Sequence, residues 1–152
     1  MLNIKKFFII ILFINVLLVS YNSNSMENNV RDHGIITLMY HRFEENKYPS
    51  TNIRIKDFIS HINMIKKEKI KFVNPNEFSK NITNKKEERK VLITIDDGFL
   101  SFYKNAWPFL KKNEIPFILF VSTKEVGNYG YMTWSQIREI SKVKFVYIGN
   151  HS

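Results

Sequence analysis

The chain has 152 residues, of which 44% are hydrophobic and 14% aromatic, so it can bury the core of one domain at most. It contains no cysteine, which excludes a disulfide framework and any thiolate metal site. The formal net charge is +9, but the basic residues are scattered among acidic ones and no nucleic-acid recognition motif accompanies them. We therefore expect no nucleic-acid partner.

The first 25 residues have the order of a secretory signal peptide. Lys5 and Lys6 give a basic start, residues 7–19 are apolar apart from one asparagine, and small polar residues follow up to Ser25. The apolar run is short for a membrane span. We predict a signal peptide over residues 1–25 and a polar leader over 26–33, so the protein is secreted or lies in the cell envelope. An uncleaved anchor, touching the membrane only through this segment, is the first alternative, and a buried core helix is the second.

From residue 34 onward the apolar pattern predicts strands that alternate with helices. The predicted strands are residues 34–41, 71–73, 91–95, 116–121 and 144–149. The predicted helices are residues 55–67, 75–79, 101–113 and 133–140. Pro108 is expected to kink or break the third of these helices, and Thr133 opens the last one with a capping-box pattern.

The apolar run at residues 91–95 ends abruptly in two carboxylates and a glycine, Asp96, Asp97 and Gly98. Asp-Gly after an apolar run is also a common hairpin turn. A helical pattern and a second apolar run follow, however, which together indicate a βαβ unit with a parallel sheet. A strand of this kind is buried on both faces, and the ends of such strands are where α/β folds gather catalytic groups.

Two adjacent carboxylates can divide the work of hydrolysis, one holding a metal ion while its neighbour accepts a proton from water. Without cysteine the metal must be held by His, Asp or Glu, which suits zinc, cobalt, manganese or nickel. His151 follows the last predicted strand and is expected at the same sheet edge as Asp96 and Asp97. We interpret it as a candidate metal ligand, although a histidine in isolation is usually a solvated residue.

These residues together resemble the polysaccharide deacetylase family, the NodB homology domain of carbohydrate esterase family four, over about residues 35–152. The family motif Thr-Phe-Asp-Asp-Gly appears as residues 94–98, with Ile95 in place of the aromatic residue. The motif His-Ser/Thr-x-x-His begins at His151. Three further segments are similar to the branch that deacetylates poly-N-acetylglucosamine: residues 38–42, 105–108 and 132–136.

The resemblance implies an α/β fold, the N-terminal portion of a distorted (β/α)7 barrel truncated before the barrel closes, in an incomplete domain over residues 34–152. It implies Asp96 as the general base, with Asp97 and His151 as ligands of one divalent metal ion. Zinc is the first choice, with cobalt, nickel or manganese as alternatives. The implied substrate is an N-acetylated polysaccharide of the extracellular matrix or envelope.

The sequence predicts less specific roles for the three other histidines. His41 stands at the end of the first predicted strand, where it would contact substrate, or alternatively be a structural histidine near the barrel mouth. His61 and His33 are expected to be structural or solvated.

The sequence also departs from the family. The second metal-binding histidine is expected three residues beyond Ser152, so two of the usual three protein ligands are present. The later arginine motif, the tryptophan-containing wall and the histidine that protonates the leaving amine are not found. We therefore expect this chain to be a fragment with little or no activity. A non-catalytic envelope protein that binds glycan or a partner chain is the alternative.

Overall fold

The computed structural model describes residues 34–79 and 88–152. The predicted signal peptide at 1–25, the leader at 26–33 and His33 lie outside the described residues. No helix in the described part of the chain is long and apolar enough to cross a membrane.

Strands and helices alternate along the described residues much as the apolar pattern predicts. The strands are β1 (Gly34–Tyr40), β2 (Arg42–Phe43), β3 (Asn52–Ile53), β4 (Lys71–Phe72), β5 (Arg89–Ile95), β6 (Phe117–Val121) and β7 (Val146–Asn150). The α-helices are α1 (Ile55–Lys67), α2 (Trp107–Lys112) and α3 (Trp134–Ser141). Shorter helical turns are 3₁₀ at Pro75–Glu77 and Thr123–Glu125, and π at Phe102–Ala106.

The main sheet is parallel throughout, with β1, β5, β6 and β7 side by side in that order. β4 pairs with the first half of β5 and β6 with its last two residues. Since β5 and β6 are parallel, the hairpin interpretation of Asp97-Gly98 is wrong and the βαβ interpretation is correct. β1, β5, β6 and β7 therefore end at one edge of the sheet, whereas β4 ends opposite Val91.

β5 is the centre of the core. Every residue from Lys90 to Ile95 is buried, as expected for a parallel strand covered on both faces. One face of α1 packs into the same core through Phe58, Ile62 and Ile65, which recur at helical spacing. The side chains of β6 that point inward, Phe117 and Leu119 among them, complete the layer.

The helix predicted at 101–113 is present but not uniform. A π turn precedes α2, and the N–H of Trp107 donates to the carbonyl of Phe102, five residues back. Pro108 lies in the first turn of α2 and has no backbone N–H to donate to the π turn before it. The wider π turn also relieves the clash of the proline ring with the preceding turn. The helix thus continues through Pro108 without a break, and its irregularity is the π turn that ends before Trp107.

The last helix begins as its capping box predicts. The side chain of Thr133 accepts the N–H of Gln136, and the Gln136 side chain accepts the N–H of Thr133. The strands β2 and β3 were not expected from the sequence. Each has two residues, which is too short to show a period, and they pair in parallel through Arg42↔Asn52 and Phe43↔Ile53.

We expect Ile93→Ala to lower the free energy of unfolding by about 2–5 kcal/mol, because Ile93 is fully buried in β5 and its loss leaves a cavity. The matched control is Ile36→Ala in the adjacent β1, where the side chain is 59% exposed, and we expect a change below about 1 kcal/mol. Urea unfolding of the two variants measures both values. An equal loss of unfolding free energy in Ile93→Ala and Ile36→Ala would contradict the placement of the core.

Candidate active site

The site lies where the parallel strands end, and strand register brings its residues together. Tyr40 pairs with Ile95, so His41 and Asp96 are the next residues on adjacent strands. The N–H of Asp96 donates to the carbonyl of Tyr40 at 2.8 Å. This strand pairing and the hydrogen bond to Tyr40 fix the backbone position from which the Asp96 side chain extends.

His151 reaches the same edge through the pairing of β6 with β7. Its N–H donates to the carbonyl of Val121 at 3.0 Å, one residue beyond the last paired position. Its Nε2 lies 3.8 Å from Asp97 Oδ1 and 3.8 Å from Asp96 Oδ2. The fold therefore places the three predicted residues side by side.

Asp97 has a left-handed backbone, with φ at 70°, and Gly98 follows at 80°. Aspartate tolerates this conformation better than most residues, and glycine does so without steric cost. The two residues turn the chain away from β5, and the carbonyl of Asp97 accepts the N–H of Ser122 at 3.4 Å. The Asp-Gly pair thus sets the direction of the Asp97 carboxylate.

The Asp96 carboxylate is buried, with 11% of its side chain exposed. Burial is the largest cause that raises the pKa of Asp96, and the charge of Asp97 adds to it. His41, His151 and the hydroxyl of Thr94 act in the opposite direction without reversing the shift. Asp96 therefore holds a proton more readily than an exposed aspartate does.

One oxygen of this carboxylate, Asp96 Oδ1, is buried and has no hydrogen-bond partner among the described residues. A buried acceptor without a partner is costly, and such atoms are usually explained by a water, an ion or a catalytic role. The orphaned oxygen belongs to the residue for which the sequence predicts proton transfer.

The donor set fits a divalent cation in part. Zinc bonds nitrogen and oxygen at about 2.0–2.2 Å, so two donor atoms up to about 4 Å apart can share one ion, as Asp97 Oδ1 and His151 Nε2 are placed to do. Within residues 34–79 and 88–152, no three His, Cys, Asp or Glu side chains form a metal-binding group. The described residues thus supply two of the usual three ligands.

The remaining histidines differ in their surroundings. His41 is half-buried beside Asp96, close enough for its charge to lower the pKa of that carboxyl. His61 lies on α1, where its Nδ1 is 3.0 Å from the hydroxyl of Tyr40. His61 is therefore a structural residue that ties α1 to the end of β1.

Gly149 is a site-forming residue that sequence reasoning missed. A Cβ at this position would lie 2.5 Å from the ring of Phe120 on β6. Glycine thus permits the close pairing of β6 and β7 two residues before His151. No local sequence signal marks it, because the obstructing ring comes from another strand.

Comparison with known proteins gives a family for this site. Residues 83–152 match the family described as polysaccharide deacetylase. This part of the chain belongs to the polysaccharide deacetylase family. The family resemblance seen in the sequence is confirmed, and Asp96, Asp97 and His151 all lie in the matched region.

A relative and a solved structure agree with the polysaccharide deacetylase assignment. The putative polysaccharide deacetylase YxkH of Bacillus subtilis is 31% identical over 107 residues, which cover 69% of this chain and 38% of the relative. The structure of IcaB from Ammonifex degensii is 31% identical, with a TM-score of 0.69, and the match covers 78% of this chain and 52% of that one.

More distant deacetylases share the fold. The Streptococcus pyogenes deacetylase PplD, solved in complex with acetate, is 24% identical with a TM-score of 0.64 over 78% of this chain and 56% of that one. The chain thus spans between about two fifths and three fifths of these proteins. The predicted fold class, an α/β portion of the deacetylase barrel, is confirmed.

We expect Gly149→Ala to destabilise the chain by about 1–3 kcal/mol, because the new methyl group overlaps the ring of Phe120. An alanine in an ordinary strand position is instead favourable relative to glycine. Urea unfolding of Gly149→Ala, Phe120→Ala and the double variant measures the coupling between the two positions. If Gly149→Ala lowers the free energy of unfolding by the same amount in the Phe120→Ala background, the clash with the ring of Phe120 is contradicted.

Proposed function

We propose that this chain carries the catalytic residues of a metal-dependent enzyme that hydrolyses N-acetyl groups on an extracellular or envelope polysaccharide. Family membership supports the class of reaction. The observation that carries the proposal is the meeting of His151 Nε2 with Asp97 Oδ1 and Asp96 Oδ2, each at 3.8 Å. These groups come from β5 and β7, and only the folded sheet brings them together.

Asp97 and His151 would hold the metal ion, with zinc the first choice. One carboxylate oxygen and one imidazole nitrogen suit zinc, and neither donor is soft. The ion would lower the pKa of a coordinated water towards neutrality and polarise the acetamide carbonyl.

Asp96 would take the proton from the attacking water. Its Oδ1 is the atom for this step, because it is buried and has no other partner among the described residues. The pKa of Asp96 is raised by burial, which brings its proton affinity closer to that required of a base near neutral pH.

His41 would contact the sugar beside the scissile amide. Register places it next to Asp96 on the adjacent strand, and it is half-buried rather than packed in the core. A neutral imidazole in this position can donate or accept one hydrogen bond to a hydroxyl.

The substrate we propose is a poly-N-acetylglucosamine-like polysaccharide, outside the cytoplasmic membrane. The similarity of residues 38–42, 105–108 and 132–136 to that branch of the family supports the choice of glycan. The order of residues 1–25 supports export, either as a cleaved signal peptide or as an N-terminal anchor.

We propose that the 152-residue chain has weak activity, because the described residues supply two metal ligands and catalytic sites normally have three. The same observation favours a second candidate function, binding of the glycan without hydrolysis. Acetate release separates the two.

We expect the chain to bind Zn²⁺, and Asp97→Ala and His151→Ala each to weaken that binding by more than about tenfold, because each removes one of two ligands. Isothermal titration with ZnCl₂ measures the affinities. The matched control is Asp57→Ala, since Asp57 pairs with the exposed Arg54. An equal loss of affinity in this control, or no loss in the site variants, would refute the metal site.

We expect slow acetate release from N-acetylglucosamine oligomers in the presence of Zn²⁺, abolished by EDTA and lowered about 100-fold or more by Asp96→Asn. An enzyme-coupled acetate assay measures the rate, with Asp57→Asn as the matched control. Release that persists in EDTA or in Asp96→Asn would contradict the mechanism. Oligomer binding with no release of acetate would favour the non-catalytic function.

A further inference from the structure

Beyond the sheet edge, two loops face each other across a cleft lined by tyrosines. One loop joins β2 to β3, and the other covers residues 127–131 before α3. Two cavities of about 440 Å³ and about 570 Å³ adjoin here and share Glu45, Tyr129, Gly130 and Tyr131 in their walls. Volumes of this size accommodate a small ligand or a few units of a chain. We call the surface formed by Arg42, Tyr48, Tyr129 and Tyr131 the tyrosine cleft.

A stack of planar groups forms one wall of the tyrosine cleft. The guanidinium of Arg42 lies 3.5 Å from the ring centre of Phe99 and 4.0 Å from that of Tyr48. The ring of Phe99 in turn lies 4.8 Å from that of Tyr131. Since Arg42 also pairs with Glu45 at 2.8 Å, four contacts hold these rings in place before any ligand arrives.

The loop that carries Tyr129 is itself held by backbone hydrogen bonds. The N–H of Leu100 donates to the carbonyl of Gly130, and the N–H of Met132 donates to that of Gly98, at 2.8 and 2.9 Å. Despite this fixed backbone, the Tyr129 side chain is fully exposed, with a relative accessibility of 104%. The ring of Tyr129 has no packing role among the described residues and lies on a loop whose backbone is held by hydrogen bonds. It is therefore available to a ligand.

We propose that the tyrosine cleft is a sugar-binding subsite, in which Tyr129 stacks on a pyranose ring of the N-acetylated glycan chain. The C–H groups on the face of a sugar ring meet the negative face of an aromatic ring, and tyrosine adds a hydroxyl for hydrogen bonding. This inference rests on the proposed function and extends it from the reacting sugar to its neighbours along the chain.

The position of the tyrosine cleft suits a neighbouring sugar. Phe99, in the stacked wall, is two residues from Asp97, so the wall begins within about 7 Å of the metal ligand. Tyr131 forms a β-bridge with Phe99. Burial and the charges of Glu125 and Asp97 raise the pKa of Tyr131, while Arg42 acts in the opposite direction.

The arginine of the tyrosine cleft is already paired with a carboxylate, which favours a neutral ligand over an anionic one. Arg42 is paired with Glu45, and the carboxylate of Glu44 accepts the N–H of Ile55 at 2.6 Å. Lys47 packs its ammonium against the ring of Tyr48. Neutral hydrogen-bonding groups, including Asn46 and Asn128, line the same walls. An N-acetylated glycan is neutral and offers hydroxyl and amide groups to them.

The test measures the binding of N-acetylglucosamine oligomers to the full chain in EDTA. The NMR chemical shifts of the Gly127 and Gly130 backbone amides are the readout. We expect saturable shifts, with Tyr129→Ala weakening the affinity about three- to tenfold and Tyr129→Trp retaining it, because stacking needs only the ring. The matched control is Tyr147→Ala, a half-exposed tyrosine on β7 outside the tyrosine cleft, which should bind as the unmodified chain does.

No shift at these glycines, an unchanged affinity of Tyr129→Ala, or an equal loss in Tyr147→Ala would overturn the subsite. The unfolding midpoint of Tyr129→Ala should equal that of the unmodified chain, so loss of affinity is separable from loss of fold. Because EDTA removes the metal, failure of zinc binding leaves this result intact. Failure of oligomer binding likewise leaves the metal titration intact.

Discussion

The site depends on one constraint: the register of four parallel strands that end at a common edge. Backbone pairing of Tyr40 with Ile95 fixes His41 beside Asp96, and pairing of Val121 with Asn150 fixes His151 beyond β6. A slip of one residue in either pair would turn the side chains to the other face of the sheet. The buried faces of β5 prevent such a slip, because both faces are packed and every side chain would have to fit a space shaped for a neighbour of different size.

The hydrophobic core thus supports groups that are unfavourable on their own. Asp96 is a buried carboxylate with one oxygen that lacks a partner among the described residues, and Asp97 has a left-handed backbone. Each feature has a cost, of the order of 1–3 kcal/mol for an unsatisfied buried acceptor or an unusual backbone conformation. Such costs persist where the surroundings over-determine the conformation. The surroundings here are the fully buried residues Ile93 and Ile95 and the layer of β6.

The metal-binding pair and the tyrosine cleft have different physical characters but share one piece of chain. Asp97 and His151 offer charge and lone pairs at the strand ends, whereas the tyrosine cleft offers aromatic faces on loops. Residues 97–99 connect the two, since Asp97 faces His151 and Phe99 enters the stack with Arg42. A glycan that contacted both regions would be bound along its length and positioned at one acetamide group, which is how remote binding contributes to catalysis.

The sequence by itself determined the order of the longer strands and helices, the double burial of β5 and the extent of α1, because periodicity reports local structure. Local motifs also marked Asp96, Asp97 and His151 as candidate site residues. Tertiary structure decided the rest. The strands β2 and β3 are too short to show a period, and the need for Gly149 comes from the ring of Phe120. The tyrosine cleft likewise joins residues 42–48 to residues 99–131, and contacts at such separation leave no trace in either segment alone.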